Sequence, residues 1–227
     1  MNEESDLFET LQLARDFLKR EIVFGPGQIN RVEVEATDED TGTDELAVLE
    51  ATVGNCQKCD LAQTRSSVVF GSGRLGAGIL FVGEAPGADE DRSGVPFVGA
   101  AGQLLTRMIE AIGLVRDDVY IANVIKCRPP NNRDPKPDEI ASCQPYLIQQ
   151  IELIKPTVIC TLGRFAAQTL LQSSDSMGRL RGRIFDYHGV QLVPTYHPAA
   201  LLRNEQWKRP TWEDLKLVRK LYDGTVI

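Results

Sequence analysis

Four short apolar runs, spaced by amphipathic stretches, constrain the fold of this chain more than any other feature. Residues 79–82, 119–125, 158–162 and 191–195 are too short for helices, are rich in β-branched side chains and read as strands. Between and after them lie helical patterns. Residues 101–112 put Leu104, Leu105, Met108, Ile109 and Ile112 on one side, residues 138–154 open at Pro137 or Asp138, and residues 164–171 and 212–221 complete the set. Such alternation predicts an α/β fold, a three-layer α/β/α sandwich around a central, mainly parallel four-stranded sheet. Ligands of these sheets bind beyond the carboxyl ends of the strands. That rule singles out residues 83–91, 123–133 and 197–203.

Charge divides the chain in two. The net charge of −7 comes from residues 1–50, which hold 14 acids and 4 bases, whereas residues 51–227 hold 18 acids and 21 bases. Residues 1–45 read as an acidic N-terminal arm. Leu7, Leu11, Ala14 and Leu18 stand at helical spacing within residues 1–24, and a flexible linker follows through the acidic stretch 37–45. The globular domain is expected over residues 46–227. Its basic clusters, Arg179, Arg181 and Arg183, then Lys126, Arg128, Arg133 and Lys136, suit phosphate contacts or ordinary solvated faces. With no apolar run of membrane-spanning length and no apolar leader core, the expected address is the cytoplasm.

Five cysteines without an export signal favour metal or redox chemistry over disulfides. Cys56 and Cys59 form a C-x-x-C, and Cys127 and Cys143 stand further apart, a spacing that leaves zinc and an iron–sulfur cluster both open. Cys160, inside an apolar run, reads as a small buried hydrophobe. Residues 71–76, GSGRLG, match the dinucleotide fingerprint G-x-G-x-x-G, but lead into a strand rather than a helix and so read as a turn. Residues 83–91, GEAPGADED, place Glu84 directly after a buried strand, where a carboxylate could hold a water or simply end a polar turn.

Several motifs in register carry a resemblance. Residues 83–87 (GEAPG), 95–99 (VPFVG) followed by AGQLL, 123–130 (NVIKCRPP), Asn132 with Arg133, and 196–203 (YHPAALLR) closely resemble family 4, the iron–sulfur uracil-DNA glycosylases, from about Leu46 to about Leu221. The resemblance implies the uracil-DNA glycosylase fold, a monomer acting on uracil-containing DNA in base-excision repair, and a [4Fe–4S] cluster on Cys56, Cys59, Cys127 and Cys143. It implies that His197 donates a hydrogen bond to uracil O2 as negative charge develops, a contribution of about 3–4 kcal/mol for a preorganised donor. Phe97 would stack on the extruded base for about 1–3 kcal/mol. The Asn123 amide would accept from N3–H and donate to O4, the pattern cytosine reverses.

Gly83 and Gly87 would line the base pocket, and Glu84, shared with Asn132, would orient the water. Leu201, Leu202 and Arg203 resemble the wedge loop that fills the vacated stack, with Arg181 gripping phosphate nearby. Two positions depart from better-known uracil-DNA glycosylases. Ala85 stands where they carry an aspartate, and Gly87 where they carry a thymine-blocking tyrosine, which opens a broader substrate range. Other deaminated bases, a non-catalytic DNA or polymerase accessory module and, on GSGRLG alone, a nucleotide-cofactor oxidoreductase are the competing readings.

Overall fold

The computed structural model describes residues 38–225; the helix expected over residues 1–24 and the linker up to residue 37 lie outside them. The first described helix, α1 (Asp38–Gly54), crosses the boundary expected at Leu46, so the acidic stretch is helical from Asp38 onward. Its Leu49 and Val53, four residues apart, share an apolar cluster with Phe70 and Tyr146.

Among the described residues the sheet has six strands: β1 (Ser72–Gly73), β2 (Ile79–Gly83), β3 (Tyr120–Asn123), β4 (Val158–Leu162), β5 (Phe185–Tyr187) and β6 (Val190–Thr195). Their order is β1-β3-β2-β4-β6-β5. The four strands read from the sequence are the parallel centre, and β1 and β5 add an antiparallel edge at each side. GSGRLG contributes β1 and the turn toward β2, not a phosphate loop.

Strand alternation sorts the core into two layers. Ile79, Phe81, Ile121, Cys160 and Val193 join one apolar cluster with Leu105, Met108 and Ile109 of α3 (Ala100–Ala111) and Leu215, Val218 and Leu221 of α8 (Lys208–Tyr222). Leu80, Val82, Ala122, Ile159 and Leu192 join the other with Leu147, Ile151 and Ile154 of α4 (Pro137–Ile154) and Ala166 and Leu170 of α5 (Arg164–Leu171). Each fully buried side chain of this kind contributes about 1.5–3 kcal/mol. The result is the expected three-layer sandwich. Three short helices complete it: α2 (Ala88–Ser93), α6 (Met177–Leu180) and α7 (Pro198–Arg203). No helix among the described residues is long and apolar enough to cross a membrane.

Candidate active site and cysteine cage

A cavity of about 510 Å³ opens at the carboxyl ends of the central strands, lined among others by Glu84, Gly87, Phe97, Asn123, Asn132, His197 and Arg203. Asn123 closes β3 and is 1% exposed, yet its Oδ1 is buried with no hydrogen-bond partner among the described residues. An acceptor without a partner at the wall of a cavity is costly unless a ligand completes it. Gly83 makes room for the arrangement: a Cβ there would stand 2.4 Å from Asn123 Oδ1 and 2.6 Å from Phe97 Cζ.

Phe97 is held in a left-handed backbone conformation, φ 52°, which a bulky residue adopts only when its surroundings impose it. Two neighbours do so. Glu90 Oε1 accepts the backbone N–H groups of Val98 and Gly99, both at 2.9 Å, while its Oε2 accepts that of Gly87 at 3.1 Å. Gly102 then lets the first turn of α3 press on the Phe97 carbonyl, where a Cβ would come within 1.9 Å of the oxygen. The two loops thus form one rigid wall, and the Phe97 and His197 rings face each other at 5.5 Å between centroids, inclined by 34°.

His197 caps helix α7: its Nδ1 accepts the backbone N–H of Ala199 at 3.1 Å, and Pro198 at the first helical position starts the turn. Burial pushes the imidazole down to about 4, Arg203 adds to that shift and Glu90 opposes it. The ring is therefore neutral at pH 7. With Nδ1 engaged as acceptor, its proton sits on Nε2. Gly163, at φ 92°, permits this packing, since a Cβ there would approach the His197 Cβ at 3.0 Å.

Glu84 sits at the tip of β2. Burial pushes its carboxyl up to about 7, Asp134 reinforces the shift and Arg164 partly offsets it. Asn132 lines the same cavity from an exposed turn, φ 52°, and its Oδ1 accepts from Arg128 Nε at 2.8 Å. The sequence alone does not connect Asp134 and Arg164 with Glu84, nor show the three backbone bonds of Glu90; their signal lies in contacts remote along the chain.

Two expected DNA contacts, Arg181 and Leu201, are engaged elsewhere. Arg181 is turned inward: Nε and Nη2 meet the Asp214 carboxylate at 3.0 and 2.7 Å, Nη2 also donates to the Pro210 carbonyl, and Asp214 accepts from Thr195. It is an internal tie between the end of α6 and α8, not a free phosphate contact. The wedge loop is helix α7, and Leu201 is 2% exposed in the core. Only Leu202, 49% exposed, and Arg203 at the cavity rim face outward. Among the other bases, Lys126 is fully buried and Arg133 is bound to buried Glu139.

Cys56, Cys59, Cys127 and Cys143 line one small cavity, together with Arg65, Lys126 and Tyr146. Donors already point at the sulfurs. Arg65 Nη1 reaches Cys127 Sγ at 3.3 Å, the Lys126 backbone N–H reaches Cys143 Sγ at 3.2 Å, and Cys56 Sγ receives the Lys58 backbone N–H and the Tyr146 hydroxyl, each at 3.5 Å. This is the environment thiolate ligands need. Among the described residues, no three His, Cys, Asp or Glu side chains gather closely enough for a single metal ion.

The family description "Uracil DNA glycosylase superfamily" matches residues 70–216, and the chain belongs to that superfamily. Within it the chain is one of the type-4 uracil-DNA glycosylases. It is 49% identical over 175 residues to the type-4 uracil-DNA glycosylase of Archaeoglobus fulgidus, covering 74% of this chain and 88% of that one. It is 48% identical over 187 residues to that of Sulfurisphaera tokodaii, covering 78% and 85%. Against that of Saccharolobus solfataricus the identity is 46% over 186 residues, covering 78% and 86%.

Proposed function

We propose that this protein extrudes uracil from DNA and hydrolyses its N-glycosidic bond, leaving an abasic site. The observation that carries the proposal is the buried, unpartnered Oδ1 of Asn123, set beside the Phe97 ring and across from a neutral His197. Uracil supplies what that wall lacks. Its N3–H donates to Oδ1, its O4 accepts from the amide nitrogen, and its face stacks on Phe97. The exocyclic amine of cytosine would instead confront the amide nitrogen, donor against donor. Gly83 and Gly87 let the base approach the backbone.

Chemistry follows from the same geometry. As the bond from N1 to the sugar carbon C1′ breaks, its electron pair moves into the uracil ring, and His197 Nε2–H donates to O2, where the charge collects. A neutral donor suits this task, because stabilisation comes from a preorganised hydrogen bond. Water adds to C1′ and gives its proton to the Glu84 carboxylate, while Asn132 orients the water from the opposite rim. Leu202 fills the gap left by the extruded nucleotide and Arg203 faces the phosphates. A base inside a duplex is out of reach, so extrusion precedes hydrolysis.

Cys56, Cys59, Cys127 and Cys143 would hold a [4Fe–4S] cluster. The sulfur-directed donors fit it, and so do four thiols lining one cavity. When bound, the cluster supplies a covalent clamp between the segment after α1, the loop after β3 and helix α4 itself; hydrolysis needs no electron transfer.

The deciding experiment incubates the protein with oligonucleotides carrying uracil, hypoxanthine, xanthine or a thymine mismatch. Release of free uracil, reduced sharply in His197→Ala and Glu84→Gln variants of unchanged fold, is the expected result. Undiminished release by both variants would overturn the roles of His197 and Glu84, and no uracil release would overturn the function.

A further inference from the structure

A lysine ammonium in a protein interior is unfavourable unless it is paired or fully hydrogen-bonded. Lys126 is 0% exposed, and the two acceptors of its ammonium are both neutral: Nζ donates to the Asn123 main-chain carbonyl at 2.8 Å and to Gln150 Oε1. Gln150 is itself fully buried and donates onward to the Phe70 carbonyl at 3.0 Å. The main chain of the same lysine is equally occupied, with its N–H on Cys143 Sγ at 3.2 Å and its carbonyl accepting from Val69 at 2.8 Å. The next residue is the cage ligand Cys127. One residue therefore touches the proposed base reader at one end and the cysteine cage at the other.

We infer that Lys126 is a positioning residue that ties the base-reading end of β3 to the cysteine cage, its Nζ fixing the Asn123 backbone and its charge balancing the ligand thiolates. The inference rests on the proposed uracil-DNA glycosylase reading and deepens it. Two residues separate Asn123 from Lys126, and these, Val124 and Ile125, donate their backbone N–H groups to the Gly83 and Glu84 carbonyls at 2.9 and 3.1 Å. The segment is thus pinned to the active-site end of β2 as well. A [4Fe–4S] cluster in its oxidised form, with four thiolates, carries a net negative charge. Arg65, Lys126 and Lys58 line the cage and hydrogen-bond to its ligand thiols, Arg65 through its guanidinium and both lysines through the main chain; Lys126 is the fully buried one, whereas Lys58 is exposed. Losing a cation there disfavours the more negative, reduced cluster and so lowers the reduction potential.

The test replaces Lys126 with Met, which keeps the length and removes both charge and donors, in the full-length protein purified with its cluster. Iron content, cluster reduction potential, KM and kcat for a uracil oligonucleotide, and melting temperature are measured. The expected result is a lower potential together with a KM raised about tenfold, the scale of one lost hydrogen bond of this type, and a kcat that falls far less. A companion Gln150→Met variant removes one neutral acceptor and leaves the cation. It should keep the wild-type potential, raise KM less, and serve if Lys126→Met fails to fold.

Unchanged potential and KM in Lys126→Met, with wild-type protein that releases uracil, would overturn the inference alone. So would a fall in kcat equal to the rise in KM, or a Gln150→Met variant with wild-type KM. Wild-type protein that releases no uracil would overturn the parent reading with it.

Discussion

Nδ1 of His197 accepts the backbone N–H of Ala199 at 3.1 Å, and this one bond decides what the ring can offer a substrate. The acceptor nitrogen faces helix α7, so the remaining proton is on the other nitrogen. His197→Ala should therefore lower the single-turnover rate of uracil release about 100- to 1,000-fold, the scale of one lost preorganised donor. Because burial holds the imidazole down at about 4, its titration should leave no feature in the rate between pH 5 and 8. Rapid-quench assays across that range check both statements.

Glu84 should impose the pH dependence instead. Its carboxyl is pushed up to about 7, so the ionised form proposed to accept the water's proton is lost as pH falls through that value. The rate should climb from pH 6 to 8, and Glu84→Gln should flatten the profile while lowering it about 100-fold or more. Stability runs the other way. Between the ordinary 4.5 and about 7 the folded carboxyl keeps a proton that the unfolded chain releases, so this group's stabilising contribution is present below 4.5 and lost as pH rises through 7. Glu84→Gln should remove that loss, which thermal melts at pH 5 and pH 8 would register as a smaller difference than in the wild type.

Gly83 does not itself line the cavity, yet it packs directly against Asn123 and Phe97, which do. A methyl group there would stand 2.4 Å from Asn123 Oδ1 and 2.6 Å from Phe97 Cζ. Gly83→Ala should weaken uracil release about 100-fold through displaced Asn123 and Phe97, while overpacking costs about 1–3 kcal/mol of stability. Steady-state kinetics and a denaturant melt separate the two effects.

Arg181 distinguishes a structural ion pair from a DNA contact. Its guanidinium holds the buried Asp214 carboxylate at 2.7 Å, and removing one partner of such a pair costs about 3–5 kcal/mol. Arg181→Met should lower the melting temperature by about 10 °C. The salt dependence of DNA binding should stay the same, whereas loss of a phosphate contact would reduce its slope.

The parallel centre of the sheet was legible because buried strands declare themselves as short apolar runs, and Gly83 and Gly163 mark where two of them end. Edge strands β1 and β5, two and three residues long, carry too little pattern to read. That Glu84, Gly87, Phe97, Asn123, Asn132 and His197 stand around one cavity was legible because a resemblance spanned several motifs in register. What escaped was pairing across sequence distance. Nothing near Arg181 announces that its partner is Asp214 on another element, and nothing near Glu90 shows that its carboxylate shapes the Phe97 turn. Leu201 and Leu202 look alike in sequence, yet successive helical residues point about 100° apart, so one enters the core and its neighbour meets solvent.

The most direct measurement is a crystal structure of the protein with a uracil-containing oligonucleotide and the base trapped in the cavity. Uracil O2 should lie within hydrogen-bond distance of His197 Nε2, N3 within that distance of Asn123 Oδ1, and the ring on Phe97. A base lodged outside the cavity, or one that leaves Asn123 Oδ1 without a partner, would contradict the proposed mode of base reading.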